Sequence, residues 1–215
     1  IEDINRRLSI TSSDSILSVS ALSFDLSVYD IFGMLSAGGT IVLPNVDRGV
    51  DPIHWIERIR ECGVTIWNSA PALMQILLKV LDPGSDHCQS PLPLRYAMLS
   101  GDWIPIDMPE RIKQRIGDCK ILSLGGATEA SIWSIAYPID QVNPEWTSIP
   151  YGMPLDNQTI HVLDDQFEPC PEWTDGEIFI GGTGLALGYW ADEGKTAERF
   201  IVSPVTGEKL YRTGD

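Results

Sequence analysis

The sequence predicts an α/β fold: a mainly parallel sheet flanked by helices over residues 1–145, followed by a small β-rich subdomain, a distorted barrel, over 146–215. Three observations predict this organisation. Strand-like and helix-like segments alternate along the first part of the chain, which is typical of a parallel sheet with right-handed crossovers. A stretch rich in proline and turn residues begins near residue 140. Short strands separated by turns follow that stretch.

The α/β part combines short apolar strands with longer helices. Strands are predicted at 14–22, 40–44, 64–69, 95–101 and 119–125. Helices are predicted at 26–37, 51–62, 71–81 and 108–116, with a loop at 82–93. The helix at 51–62 has the clearest ends, because Asp51 precedes it, Pro52 opens it and Gly63 follows it. The β-rich part has predicted strands at 158–165, 176–182 and 208–215.

The composition is that of an acidic globular protein. Of the 215 residues 43% are hydrophobic, and the formal net charge is -15, which argues against a surface that neutralises nucleic-acid phosphates. Cys62, Cys88, Cys119 and Cys170 lack metal-site spacing, which favours free thiols in a reducing cytoplasm. We find neither a signal peptide nor an apolar run of membrane-spanning length, and both ends resemble internal segments of a longer protein.

In a parallel α/β fold, ligands bind beyond the carboxyl ends of the strands. Polar or glycine-containing segments are predicted at four such ends: Phe24-Asp25, Asn68-Ser69, Ser100-Gly101-Asp102 and residues 125–129. We therefore expect these four segments to line one crevice.

The segment LGGATEAS predicts a strand, a glycine pair and a helix that begins at Thr128 and Glu129. Gly125 and Gly126 would let the backbone approach a ligand closely, and a helix N-terminus favours an anion such as phosphate. Glu129 is either an ordinary first-turn residue or a ligand of Mg²⁺, which bridges phosphate oxygens to acidic side chains. The sequence contains no Walker-type phosphate loop.

The other candidates each have a structural alternative. Asp25 is either a helix N-cap or a buried carboxylate that binds an ammonium group. Asn68 and Ser100 end apolar strands, where each binds a ligand or satisfies local backbone groups. Tyr29 and Trp133 are predicted on helices, facing either the crevice or the core.

Four segments resemble, in order and spacing, core motifs of the adenylation domains of nonribosomal peptide synthetases. These segments are LSFDLSVYDIFGMLSAGGTIVLP, LGGATEASIWS, GEIFIGGTGLALGYW and YRTGD. The resemblance covers essentially the whole chain and implies the use of ATP and Mg²⁺. An amino acid would be converted to an aminoacyl-adenylate and then transferred to the phosphopantetheine thiol of a carrier protein. A condensation or cyclisation domain would belong to the same assembly line.

The resemblance also assigns roles by motif position. It implies catalytic roles for Thr128, which would contact phosphate, and for Glu129, which would hold Mg²⁺. Asp215 would bind the ribose hydroxyls. The residues that would border the adenine are Gly101, Asp102, Gly125 and Gly126.

Two positions depart from the family pattern: Gly125 replaces the aromatic residue that packs on adenine, and Ala127 replaces a proline. The nucleotide pocket is therefore looser, or an aromatic side chain from elsewhere fills it. The LGGATEAS version of this motif resembles the versions in siderophore and thiazoline-forming synthetases.

The resemblance assigns the amino-acid pocket as well. Its specificity positions correspond to Asp25, Leu26, Tyr29, Asn68, Met98, Ser100, Leu124, Ile132 and Trp133. Asp25 would bind the substrate ammonium, while Tyr29 and Trp133 would leave a small, mostly apolar cavity. The set resembles that of cysteine-activating domains, so L-cysteine is the predicted substrate. Serine is the nearest rival, although a hydroxyl needs stronger hydrogen-bonding partners than a thiol.

Two other functions stay open from the sequence. One is an acyl- or aryl-acid-CoA ligase of the same superfamily, whose members usually lack the aspartate at position 25. The other is a non-catalytic scaffold with the adenylation fold. The family's glycine-rich phosphate loop and its lid with a catalytic lysine are not among these residues. We therefore expect weak activity from this segment alone, a cytoplasmic location, and no nucleic-acid or membrane partner.

Overall fold

The computed structural model describes residues 1–82, 84–85 and 90–215. Cys88 and part of the predicted loop at 82–93 lie outside the described residues. Dense internal packing divides the chain into two compact units, residues 1–123 with 137–150 and residues 124–136 with 151–215. The second unit thus takes residues 124–136 from within the predicted α/β range, and a subdomain boundary after residue 145 stays a prediction.

A parallel sheet organises the first unit. Its strands are β1 (Ser15–Leu17), β2 (Thr40–Val42), β3 (Ile66–Ser69), β4 (Tyr96–Leu99) and β5 (Lys120–Gly125), whose last two residues belong to the second unit. The strand order is β2-β1-β3-β4-β5, and the neighbouring pairs are parallel, which confirms the mainly parallel sheet. The predicted strand at 14–22 is too long, because the chain turns after β1 and the N–H of Phe24 donates to the carbonyl of Ala21 at 2.9 Å.

The helices of the first unit lie before β1 and between these strands. They are α1 (Glu2–Leu8), α2 (Leu26–Val28), α3 (Met34–Ala37), α4 (Pro52–Cys62), α5 (Pro71–Val80) and α6 (Met108–Ile116), with a 3₁₀ turn at Val46–Arg48. A π-helical segment, Tyr29–Gly33, joins α2 to α3. The predicted helix at 26–37 therefore exists, with a widened turn of the kind that is frequent at functional sites.

Helix α4 has the ends that its sequence predicts. The Oδ1 atom of Asp51 accepts hydrogen bonds from the backbone N–H groups of Ile53, at 3.0 Å, and His54, at 3.1 Å. Gly63 ends the helix in the left-handed region with φ of 62°. These caps satisfy backbone groups that a helix otherwise leaves unpaired.

The core of the first unit lies where α4, α5 and α6 pack on the sheet. Its buried side chains include Trp55, Ile59, Trp67, Met74 and Ile112. The rings of Trp55 and Trp67 meet edge to face with centroids 5.7 Å apart. Burying each large apolar side chain contributes about 1.5–3 kcal/mol to stability, so this core fixes the strand ends that carry the candidate polar residues.

The second unit is mainly antiparallel. Its strands are β6 (Ile135–Pro138, of which the first two residues belong here), β7 (Met153–Pro154), β8 (Gln158–Leu163), β9 (Glu177–Gly182), β10 (Phe200–Val202) and β11 (Lys209–Arg212), with helix α7 (Glu193–Arg199). Four strands form an antiparallel sheet in the order β10-β11-β9-β8. All three predicted strands exist, but those at 158–165 and 208–215 are too long, because β8 ends at Leu163 and β11 at Arg212. The elements α7, β6, β7 and β10 were not predicted.

Within the described residues, no helix is both long enough and apolar enough to cross a membrane. The thiols of Cys62, Cys119 and Cys170 are free.

Candidate functional site

In the first unit, polar residues come together at the carboxyl ends of β3 and β4. Asn68 pairs in register with Met98, and Ser69 pairs with Leu99. Asn68, Met98 and Ser100 are all buried, with 2% exposure at most. The parallel sheet therefore places three of the predicted specificity residues side by side.

The start of α2 lies against the same place. The Nδ2 group of Asn68 donates a hydrogen bond to the carbonyl of Leu26 at 3.3 Å, and Leu26 is buried. Asp25 precedes α2 and is partly buried, but its side chain does not cap the helix. The structure thus gives no support to the N-cap alternative for Asp25 and puts its neighbour Leu26 in contact with Asn68.

Tyr29 is fully buried inside the first unit. Its hydroxyl donates to Oδ1 of Asn5 at 2.8 Å, and burial raises the pKa of its phenol. Its ring packs on Gly33, where an added Cβ would lie only 2.8 Å from the ring. Tyr29 is on a helical segment as predicted, and its role in a substrate pocket stays a prediction.

Asp30 was missed by the sequence analysis. Its carboxylate is completely buried and accepts hydrogen bonds from Nδ2 of Asn68 at 2.7 Å and from the hydroxyl of Ser18 at 3.2 Å. Burial raises its pKa to about 6, although the two hydrogen bonds act in the opposite direction. The available signal was a single carboxylate inside the otherwise apolar segment YDIFGM.

Gly101 and Asp102 follow β4 in a turn. Gly101 has φ of 83°, and a Cβ at this position would lie 3.0 Å from the tip of the Phe24 ring. The left-handed backbone strongly favours glycine here, and a larger residue would also press on the Phe24 ring. Asp102 is exposed and accepts a hydrogen bond from the N–H of Trp103 at 2.7 Å. Their contact with a nucleotide stays a prediction.

In the second unit, the helix predicted to begin at Thr128 and Glu129 is wrong. The segment is a 3₁₀ turn of three residues, Thr128–Ala130. It stops because Ser131 and Ile132 have φ of 65° and 71°, in the left-handed region. Trp133 accordingly lies in the connection to β6, which corrects its predicted place on a helix. No α-helical dipole is available at Thr128 to favour an anion.

The carboxylate of Glu129 is nevertheless held in a defined position. The hydroxyl of Tyr189 donates to its Oε1 atom, and Tyr211 also hydrogen-bonds to it. Burial acts to raise the pKa of Glu129, but these hydrogen bonds and the charge of Lys195 outweigh burial and lower it. Lys195 lies over the Tyr189 ring, 4.4 Å from its centre.

Tyr189 and Tyr211 were also missed, although both are within the quoted motifs GEIFIGGTGLALGYW and YRTGD. Tyr189 contacts Glu129, which lies 60 residues earlier in the sequence, so the spacing of residues alone could not connect the two. The structure adds them to the candidate site as the groups that orient Glu129.

A single ionised carboxylate is compatible with Mg²⁺. Among the described residues no cluster of three or more His, Cys, Asp or Glu side chains could hold a metal ion. Mg²⁺, however, commonly takes one or two carboxylates and completes its shell with substrate phosphates and water. The lowered pKa of Glu129 keeps it in the charged form that such a site needs.

Gly125 and Gly126 are explained by packing inside the second unit. A Cβ at Gly125 would lie 2.6 Å from Cζ of Tyr151 and 2.9 Å from Cγ2 of Ile135. At Gly126, which has φ of 155°, a Cβ would lie 2.7 Å from the backbone nitrogen of Ser134. Tyr151 therefore fills the space that a larger residue at position 125 would take.

The remaining candidates also belong to the second unit. The N–H of Asp215 donates to the Thr213 hydroxyl at 3.1 Å, and its carbonyl accepts from the N–H of Ile178 at 3.0 Å. Burial and the charge of Asp215 raise the pKa of Tyr151, so the two side chains are close enough to interact. Leu124 and Trp133 are buried and Ile132 is partly buried, and their role in specificity stays a prediction.

The chain is similar over nearly its whole length to known proteins. A family model described as "AMP-binding enzyme" matches residues 1–190. The "Anguibactin system regulator" of Vibrio anguillarum is 50% identical over 212 residues, which is 99% of this chain and 20% of that protein. "Pyochelin synthetase PchF" of Pseudomonas aeruginosa is 49% identical over 214 residues, which is 99% of this chain and 12% of that protein. The chain thus spans a fifth or less of these relatives.

Solved structures show the same similarity. The nonribosomal peptide synthetase FmoA3 bound to alpha-methyl-L-serine-AMP matches with a TM-score of 0.93 and 42% identity. The match covers 100% of this chain and 24% of that chain. The form of the same protein bound to AMPPNP gives the same TM-score and identity, with 23% of its chain covered.

Proposed function

Because this chain belongs to the AMP-binding enzyme family, as part of an adenylation domain of a nonribosomal peptide synthetase, we propose that the protein containing it activates an amino acid with ATP. A carboxylate oxygen of the amino acid forms a bond to the α-phosphorus, and the bond from that phosphorus to the pyrophosphate oxygen breaks. The products are an aminoacyl-adenylate and pyrophosphate. The activity is proposed for the whole protein, of which this chain is a part.

The observation that carries the proposal is the ionised carboxylate of Glu129 on the tight Thr128–Ala130 turn. Tyr189 donates to this carboxylate, and its pKa is lowered despite partial burial. Glu129 would hold Mg²⁺, which neutralises phosphate charge as the α-phosphorus is attacked. Thr128 is exposed beside it and would donate its hydroxyl to a phosphate oxygen.

The second unit would also bind the nucleoside. Tyr151 leaves 42% of its surface exposed while it packs on Gly125. We propose that its free ring face stacks on the adenine and so replaces the aromatic residue that Gly125 displaces from the motif. Asp215, near Tyr151, would accept hydrogen bonds from the ribose hydroxyls.

The first unit would bind the amino acid, and L-cysteine is the proposed substrate. Asp25 would pair with the ammonium group, beside the buried residues Leu26, Asn68, Met98 and Ser100. The set combines apolar side chains with few hydrogen-bonding groups, which suits a thiol. FmoA3 binds the adenylate of alpha-methyl-L-serine, another small residue with a short polar group, which supports a small substrate and keeps serine as the rival.

The proposed next step is transfer of the aminoacyl group to a carrier protein. The phosphopantetheine thiol would attack the acyl carbon, form a thioester and release AMP. A condensation or cyclisation domain would then use this thioester, in the cytoplasm. The length of the relatives supports such partners. Only 12% of PchF aligns with this chain, which leaves most of that protein for other domains.

Pyrophosphate exchange on the full-length protein tests the proposal. Each of the twenty amino acids and a set of aryl and acyl acids would be supplied with ATP, Mg²⁺ and labelled pyrophosphate, and the label recovered in ATP would be measured. We expect the highest exchange with L-cysteine, and a loss of at least about 100-fold in Asp25→Ala because the ammonium loses its partner. Exchange with bare acids that is insensitive to Asp25→Ala would instead identify an acid-CoA ligase, and no exchange with any compound would refute activation.

A further inference from the structure

We propose that Asp30 is a positioning residue that fixes the side-chain amide of Asn68, so that the amide oxygen selects a substrate side chain with a short hydrogen-bond donor. The inference rests on the proposed function, since Asn68 is expected to contact the amino acid. It adds a residue outside the specificity positions and a chemical reason to prefer a side chain with a hydrogen-bond donor over an alkyl side chain.

Both side chains are completely buried. Asp30 and Asn68 each have 0% exposure, and they meet through a hydrogen bond of 2.7 Å from Nδ2 to Oδ1. The second carboxylate oxygen of Asp30 accepts from the hydroxyl of Ser18 at 3.2 Å. A buried carboxylate is retained only where hydrogen bonds offset its lost hydration, and Asn68 donates the shorter of the two hydrogen bonds described above.

The partners of the Asn68 side chain fix the orientation of its amide. Both partners of the Asn68 nitrogen are acceptors, the Asp30 carboxylate and the Leu26 carbonyl at 3.3 Å. An amide nitrogen only donates and an amide oxygen only accepts. The nitrogen must therefore face Asp30 and Leu26, and the oxygen is turned away from them.

The amide oxygen of Asn68 is left without a partner in the part of the chain that the structure describes. Oδ1 of Asn68 is buried and has no hydrogen-bond partner among the described residues. A buried acceptor without a partner costs free energy, and a donor brought by a ligand removes that cost. A thiol or a hydroxyl on a short side chain carries such a donor, whereas an alkyl group of the same size does not.

Measurements of amino-acid discrimination in the full-length protein test the inference. The readout is the ratio of kcat/KM for L-cysteine to that for L-2-aminobutyrate, which has a methyl group in place of the thiol. We expect Asp30→Leu, which removes the acceptor and keeps a side chain branched at Cγ, to lower this ratio at least about tenfold through KM for cysteine. KM for ATP should stay within about twofold, which distinguishes positioning from general damage.

Two matched variants complete the test. Asp30→Asn keeps an oxygen that accepts from Asn68 and should retain the ratio within about threefold. Ser18→Ala removes the other hydrogen bond to Asp30 and should also retain most of it. A ratio in Asp30→Leu within twofold of the unmodified protein would overturn the inference.

A structure of the unmodified protein with a non-hydrolysable cysteinyl-adenylate analogue gives a second readout that does not depend on how the variants fold. We expect the substrate sulfur at hydrogen-bonding distance from Oδ1 of Asn68, and a sulfur distant from that atom would overturn the inference. Exchange with cysteine but equal preference for 2-aminobutyrate would refute this inference alone. Failure of the unmodified protein to activate any amino acid would refute the proposed function and this inference with it.

Discussion

The ring of Tyr151 lies in the space where a side chain at position 125 would have to be. A Cβ on Gly125 would come within 2.6 Å of Cζ of Tyr151, and the backbone of Gly126 hydrogen-bonds to the Tyr151 hydroxyl. The glycine and the tyrosine are therefore mutually dependent, although 26 positions separate them in the sequence. This dependence explains how the second unit accommodates the motif departure at Gly125.

The first prediction follows from this packing. Gly125→Ala should lower the free energy of unfolding by about 1–3 kcal/mol, because the Tyr151 ring must move to make room. In a protein that already carries Tyr151→Ala, Gly125→Ala should lower the free energy of unfolding by clearly less. Of the two side chains that a Cβ at position 125 would meet, Tyr151 and Ile135, only Ile135 is then left. Urea unfolding of the four proteins gives the coupling energy. Equal costs in both backgrounds would contradict the contact.

The second prediction concerns the proposed stacking of Tyr151 on adenine. Removing a base–aromatic stack costs about 1–3 kcal/mol, so Tyr151→Ala should raise KM for ATP by about 5–100-fold at saturating amino acid. Tyr151→Phe keeps the ring and should stay within about threefold, which makes it the matched control. A KM for ATP in Tyr151→Ala that equals that of the unmodified protein would rule out the stack.

The sequence predicted best the features that depend on neighbouring residues. Asp51, Pro52 and Gly63 cap α4 as their types require, and the apolar strands of the first unit form a parallel sheet. These signals act over a few positions, so they can be recognised without knowledge of the fold. The candidate polar residues at the ends of β3 and β4 could be chosen for the same reason.

The sequence did not reveal the features that depend on distant contacts. Ser131 and Ile132 adopt left-handed conformations that their residue types do not favour, which is why a helix at Thr128 was expected and a short turn is found. Tyr189 meets Glu129 across 60 positions, and Asp30 meets Asn68 across 38. Only the packed fold defines these partners, and they decide how the candidate side chains are oriented.

The third prediction concerns the tyrosine that orients Glu129. Tyr189→Phe should raise the Mg²⁺ concentration needed for half-maximal pyrophosphate exchange by about 10–100-fold, as is typical when a group that orients a metal ligand is lost. Glu129→Gln should abolish most exchange at any Mg²⁺ concentration, because the proposed ligand loses its charge. Tyr137→Phe, which alters a tyrosine of the first unit, serves as the control. An unchanged Mg²⁺ requirement in Tyr189→Phe would show that the hydrogen bond does not serve metal binding.

The last prediction concerns the pH dependence of stability due to Asp30. Burial raises the pKa of its carboxyl from 3.8 to about 6 in the folded protein, so between these values the folded state binds more protons than the unfolded state. The contribution of Asp30 to stability is therefore largest below pH 4 and is lost as the pH rises through 6. The difference between the two pKa values corresponds to about 3 kcal/mol.

In the Asp30→Asn variant the side chain at position 30 does not titrate, so this pH dependence of stability should be absent. Relative to Asp30→Asn, the unmodified protein should lose about 2.4 kcal/mol of unfolding free energy between pH 4 and pH 7.5, because at pH 4 the unfolded carboxyl is already partly ionised. Urea unfolding followed by tryptophan fluorescence at several pH values measures the difference, and Asp118→Asn at an exposed carboxylate controls for the change in net charge. A constant difference between the two proteins over this range would mean that Asp30 titrates alike in the folded and unfolded chains. Burial would then be compensated by the hydrogen bonds from Asn68 and Ser18.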